Sequence, residues 1–130
     1  MNEVIVLVGP PGSGKGTQSI KLSETLSFSH LIMGDIIRDQ VSMNTDIGQI
    51  LKSKIDNGLL VSDEIVNTLF FNAFNGNLSS KGIIIDSYPR TQVQSMYLEE
   101  LSSKYSFNVK VILFETVDIP SVDRSSVLYF

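Results

Sequence analysis

The residues best suited to do chemistry lie in one stretch, Gly9-Pro10-Pro11-Gly12-Ser13-Gly14-Lys15-Gly16-Thr17. It follows the apolar run Val4 to Val8, which reads as a buried strand, and precedes Gln18 to Phe28, which reads as a helix. A glycine-rich turn between strand and helix is a phosphate cradle. Its backbone N–H groups point inward, and the helix N-terminus adds partial positive charge. Lys15 supplies a full charge for the outer phosphates, and glycines allow the backbone to turn sharply against a ligand.

The stretch fits the P-loop pattern G-x-x-x-x-G-K-S/T at all but one position. Gly16 stands where a hydroxyl residue is usual, and the hydroxyl follows at Thr17. A purely structural turn is the blander reading. Strand, loop, lysine and helix in the order the mechanism requires count against it.

The remaining elements must hold other groups near that cradle. Ser29 to Met33 reads as a short strand, with Asp35 capping a helical segment Ile36 to Ser42. Ile37 and Val41 share its buried side, which leaves Arg38 free to face a cleft or solvent. Ile47, Ile50, Leu51 and Ile55 form one face of a helix that Asn57-Gly58 ends. Ser62 caps the next helix, with Asp63 and Glu64 in its first turn and Val66, Leu69, Phe70 and Ala73 buried. Gly82 to Asp86 is apolar on both faces and belongs in the centre of a parallel sheet. Asp86 ends it, where open α/β sheets bind ligands. Pro89 then stops the strand. Thr91 to Gln94 reads as a capping box, opening a helix that buries Val93, Tyr97 and Leu101. Val109 to Phe114 is the last clear strand. Alternating strands and helices give an α/β fold with right-handed crossovers, and 33–61 forms a small helical insert between core segments 1–32 and 62–130 of one domain.

Bulk properties agree. The chain has 130 residues, 42% hydrophobic and 18% charged, which suits one globular domain. A formal charge of −4 offers no basic field for nucleic acid. No cysteine is present, so disulfides and cysteine-ligated zinc are excluded. The N-terminal apolar run is too short for a signal peptide or a membrane span, and a cytoplasmic location is expected. His30, the only histidine, reads as a strand residue rather than a catalyst.

Four further segments resemble one P-loop branch, the adenylate kinase family of nucleoside monophosphate kinases. They are Met33-Gly34-Asp35 with Arg38, Gly58 to Glu64, Asp86 to Thr91 with Gln94, and Asp123-Arg124. The resemblance implies a three-layer αβα P-loop fold with the insert holding a monophosphate. It implies a phosphotransferase of nucleotide biosynthesis, catalysing ATP + AMP = 2 ADP. Gly12, Ser13, Gly14, Lys15, Gly16, Thr17 and Arg124 would bind ATP. Met33, Arg38, Leu59, Leu60, Val61, Ser87, Tyr88, Pro89, Arg90 and Gln94 would bind AMP. Lys15, Arg90 and Arg124 would be catalytic, and Thr17, with Asp86 through water, would hold Mg²⁺. Gln94 is open to two readings, an adenine-recognising amide or the closing half of the capping box with Thr91.

Three positions depart from the family pattern. Met33 replaces a threonine, Ser87 replaces a glycine, and Leu128 stands where a further arginine is expected. The family's lid and last strand are expected to be absent. Such a chain should bind both nucleotides yet turn over at least about a thousandfold more slowly than a complete enzyme. A complete protein is expected to be a monomer, with no nucleic-acid or membrane partner. The present chain, with Val109 to Phe114 as an unpaired edge, is expected to self-associate. A non-catalytic nucleotide-binding module, or a small-molecule kinase of another P-loop family, are the alternatives.

Overall fold

Strand β1 (Glu3–Val8) lies within the sheet, flanked by β3 (Gly82–Asp86) and β4 (Asn108–Thr116), both parallel to it. The architecture comes from a computed structural model, which describes residues 1–10, 12–116 and 125–129. β2 (Ser29–Ile32) pairs with β3, and β5 (Ser125–Tyr129) pairs antiparallel with β4. The strand order is β2-β3-β1-β4-β5. Five helices complete the described chain: α1 (Lys15–Leu26), α2 (Met33–Ser42), α3 (Asp46–Asp56), α4 (Asp63–Asn75) and α5 (Gln92–Tyr105). No helix among the described residues is long and apolar enough to cross a membrane.

The sheet is apolar on both faces because both faces are covered. Val4, Val6, Ile83 and Ile85 pack into one core with Leu69, Phe70 and Phe74 of α4 and Leu98 and Leu101 of α5. Ile5, Leu7 and Ile84 point to the other face, against Leu22 and Phe28. This alternation makes the three layers. The crossover carrying α1 leaves β1 toward β2, and that carrying α5 leaves β3 toward β4. Adjacent strands thus send their chains in opposite directions, which opens a crevice at their carboxyl ends. Both Gly9 to Lys15 and Asp86 to Arg90 emerge there.

Local signals set several boundaries. The Ser62 hydroxyl accepts from the Ile65 N–H and caps α4. At the end of α3, Gly58 has φ +66°, Leu59 N–H donates to the Lys54 carbonyl and Gly58 N–H to that of Ile55. This is the glycine stop that Asn57-Gly58 announces.

Other expectations need correction. α1 begins at Lys15 rather than Gln18, directly off the turn. α2 begins at Met33, so Asp35 sits inside its first turn instead of capping it, and pairs with Arg38. On α3 only Leu51 of the expected stripe is fully buried; Ile50 and Ile55 are exposed, and Gly48 takes the inward position. On α5 the buried positions are Gln94, Leu98 and Leu101, while Val93 is exposed. The edge of β4 is paired by β5, which removes the ground on which self-association was expected.

His30 in β2 has a buried Nε2 with no hydrogen-bond partner among the described residues. Burial holds its pKa below the usual 6.5, against the opposing charges of Asp86 and Asp35. The neutral ring is favoured in the fold, so the unfolded chain binds more protons in mild acid. His30 therefore contributes stability that is fully present above pH 6.5 and is lost as pH falls below that value through its lower folded pKa. The melting temperature is expected to drop between about pH 7.5 and 5.5, and His30→Gln should reduce that drop. Scanning calorimetry of both proteins across this range checks it.

Candidate active site

The cradle is built on the first turn of α1. Gly14 is its N-cap, at φ +86°, and no side chain caps the helix. The first N–H groups of α1 are thus left for an anion. Gly12 is also left-handed, at φ +81°. A Cβ on Gly9 would lie 2.7 Å from Phe114 Cβ, so this glycine is required by the approach of β4. A Cβ on Gly16 would meet nothing within 4 Å, so the departure at that position is not forced by packing. Ser13 and Ser19 are buried, and the Ser19 hydroxyl donates to the Gly16 carbonyl at 2.8 Å. Pro11 and Arg124 lie outside the described residues.

Three cavities follow one another from this turn. The first, about 280 Å³, is lined by Pro10, Gly12, Gly14, Lys15, Gly16 and Thr17. The second, about 340 Å³, shares Lys15 with it and adds Ser87, Tyr88, Pro89 and Arg90. The third, about 750 Å³, shares Ser87 and Arg90 with the second. It extends along α2, past Met33, Arg38, Leu60, Val61 and Gln94.

Lys15 Nζ lies 2.8 Å from an oxygen of Asp86, and both side chains are largely buried. An ammonium has three N–H donors, so Lys15 can keep this contact and still donate to an arriving phosphate. Thr17 is exposed on the cradle. The Thr17 hydroxyl and the Asp86 carboxylate are hard oxygen donors of the kind Mg²⁺ takes. No cluster of three or more His, Cys, Asp or Glu able to hold a metal exists among the described residues. The donor set therefore fits an ion that keeps its waters and borrows phosphate oxygens.

Arg38 is exposed and bonded to Asp35, one helical turn away. Ser87 has φ +68°, the left-handed region that favours the glycine of the family pattern. Its hydroxyl donates to Asp86 at 3.3 Å. Tyr88 is turned into the core: its ring stacks on Phe70 at 4.2 Å and its hydroxyl donates to Asn67 at 2.7 Å. Burial pushes the Tyr88 hydroxyl well above its ordinary pKa. Its side chain is thus committed to packing. Leu59 is exposed and does not line the third cavity, whereas Leu60 and Val61 do.

Among the residues lining the third cavity that the sequence reading did not assign to the site, two are charged. Lys54, in the last turn of α3, borders the third cavity. Asp63, read as a first-turn acid of α4, borders it as well. Its carboxylate accepts from the Thr91 hydroxyl at 2.8 Å and from Gln94 Nε2 at 2.9 Å.

A family model described as adenylate kinase matches residues 7–124, nearly the whole chain. The chain belongs to the adenylate kinase family. It is 37% identical over 112 residues to the adenylate kinase of onion yellows phytoplasma, covering 85% of this chain and 52% of the relative. It is 37% identical over 109 residues to that of Bacteroides thetaiotaomicron, covering 84% and 58%. Against that of Emericella nidulans it is 44% identical over 98 residues, covering 75% and 38%. The chain spans about half the length of the curated adenylate kinases it matches. The three-layer α/β fold with its P-loop is that of the family.

Proposed function

We propose that this chain acts as a nucleoside monophosphate kinase, transferring the ATP γ-phosphoryl group to AMP with Mg²⁺. The observation that carries this reading is the run of three cavities, with Lys15 at one junction and Arg90 at the other. A triphosphate in the first cavity and a monophosphate in the third would meet in the second, between these two cations.

Phosphoryl transfer asks mainly for positioning and charge neutralisation. The N–H groups of Gly12 to Thr17 hold the β and γ phosphates, and Lys15 donates to the terminal oxygens. Arg38 and Arg90 hold the acceptor phosphate with paired donors. The attacking phosphate oxygen is already ionised, so no side-chain base is required. Mg²⁺, held by Thr17 and through water by Asp86, would supply further neutralisation of the phosphate charge. Met33, Leu60 and Val61 offer an apolar seat for the acceptor base, with Gln94 as its polar reader. Ser87, Tyr88 and Pro89 shape the passage between the cavities, Tyr88 through its backbone. Leu59 has a part only if the 59–61 segment shifts on binding. Arg124 would join the donor side.

The test is ADP formation from ATP with AMP, UMP or CMP as acceptor, at saturating Mg²⁺. AMP is expected to be preferred. Binding of both nucleotides with no ADP formed would favour a non-catalytic module. Equal use of all three acceptors would remove the adenine assignment.

A further inference from the structure

Asp63, Gln94 and the backbone of Arg90 form a network whose polarity is fixed by chemistry rather than by placement of atoms. Gln94 Oε1 accepts from the Arg90 N–H at 2.8 Å, and Gln94 Nε2 donates to Asp63 at 2.9 Å. A backbone N–H can only donate and a carboxylate can only accept. The reverse orientation of the amide would set donor against donor and acceptor against acceptor. Gln94 is 5% exposed, so water cannot relieve either clash. The amide orientation, often ambiguous in a glutamine, is here determined.

The expected capping box is only half present. The Thr91 hydroxyl accepts from the Gln94 N–H at 3.2 Å, but the Gln94 side chain reaches past Thr91 to Arg90. Among the described residues the amide makes no other bond. It therefore retains one N–H and one lone pair, fixed in direction, on a residue that lines the third cavity.

We infer that Asp63 is a positioning residue for base selection: it locks Gln94 so that the acceptor pocket takes a 6-amino purine monophosphate and rejects a 6-oxo one. This rests on the monophosphate-kinase reading of the third cavity. Adenine offers an N–H at its 6-position beside a ring-nitrogen acceptor, which a fixed donor–acceptor pair satisfies. Hypoxanthine reverses both groups on that edge, and on its N7 edge it has lost the donor. A glutamine free to turn would serve either base. One held by Asp63 and Arg90 serves only the first.

The experiment is titration calorimetry of the full chain with AMP and with IMP, for the wild type, Asp63→Ala and Asp63→Asn. The wild type is expected to prefer AMP by about ten- to a hundredfold, the range for a bidentate base contact. Asp63→Ala removes the acceptor and should lower that preference about tenfold, through tighter IMP binding as much as weaker AMP binding. Asp63→Asn keeps an oxygen where both Thr91 and Gln94 donate, and should retain most of the preference. Both variants lose the same first-turn charge of α4, so a purely structural role would affect them equally. Equal loss in both, or an unchanged ratio in Asp63→Ala, would overturn the inference. So would a wild type that binds AMP and IMP alike, a result that needs no variant to fold. A wild type that binds no AMP would instead refute the kinase reading on which this rests.

Discussion

Replacing Lys15 by alanine is expected to weaken ATP binding by about 2–4 kcal/mol, roughly thirty- to a thousandfold in affinity. The ammonium is largely buried at the junction of the first two cavities; among the described residues it is the one lysine or arginine lining the first, and Arg90 joins it in the second. Its loss removes a charged donor from the phosphates. It also leaves Asp86, itself buried, without its 2.8 Å partner and facing an incoming polyanion. Like charges at short range in a poorly hydrated site oppose binding further. AMP affinity should change much less, since Lys15 does not line the third cavity. Titration calorimetry with each nucleotide separates the two effects. Unchanged ATP affinity would remove Lys15 from the site.

Gly48→Ala is expected to be severely destabilising, because it pries α3 off α2. An added Cβ would lie 2.0 Å from the Gln40 carbonyl oxygen and 2.6 Å from its carbon, both backbone atoms of α2. No side-chain rotation can relieve such a contact, so α2 and α3 must separate. A cost of about 3 kcal/mol, the upper end of ordinary overpacking, is expected in the melting free energy. The separation also displaces Arg38 on α2 and Lys54 on α3, both of which border the third cavity. AMP affinity should therefore fall while ATP affinity is retained. Gly16→Ala is the contrast: its Cβ meets nothing within 4 Å, so the fold should melt as the wild type does. A Gly48→Ala protein as stable as the wild type would refute the close helix crossing.

The parts of this molecule that were legible in the sequence are those whose cause is local. Gly82 to Asp86 announces a buried central strand by being apolar throughout, and it is one. Asn57-Gly58 announces a helix end by the one residue type that accepts a left-handed turn freely. The cradle is legible because glycine spacing, lysine and helix act within a few residues of one another. What escaped depends on contacts distant in sequence. The face of α5 was misjudged because Gln94 is buried by bonds to Asp63 and Arg90, and hydrophobic periodicity cannot register a satisfied amide. The face of α3 was misjudged because Gly48, with no side chain, faces the Gln40 backbone and takes the inward position, leaving Ile50 and Ile55 outside. The pairing of β4 with β5 was missed because Ser125 to Tyr129 is too short a run to read as a strand from its own pattern. Among the candidate site residues, Tyr88 was chosen for its place in a motif, but its ring belongs to the aromatic core with Phe70.

The central claim is that one chain holds two phosphate sites meeting between Lys15 and Arg90. The most direct measurement is a pair of titrations, ATP into chain saturated with AMP and AMP into chain saturated with ATP. The account predicts one molecule of each nucleotide per chain, bound together, with Lys15→Ala weakening ATP and Arg38→Ala weakening AMP. Mutual displacement of ATP and AMP from a single site would contradict it.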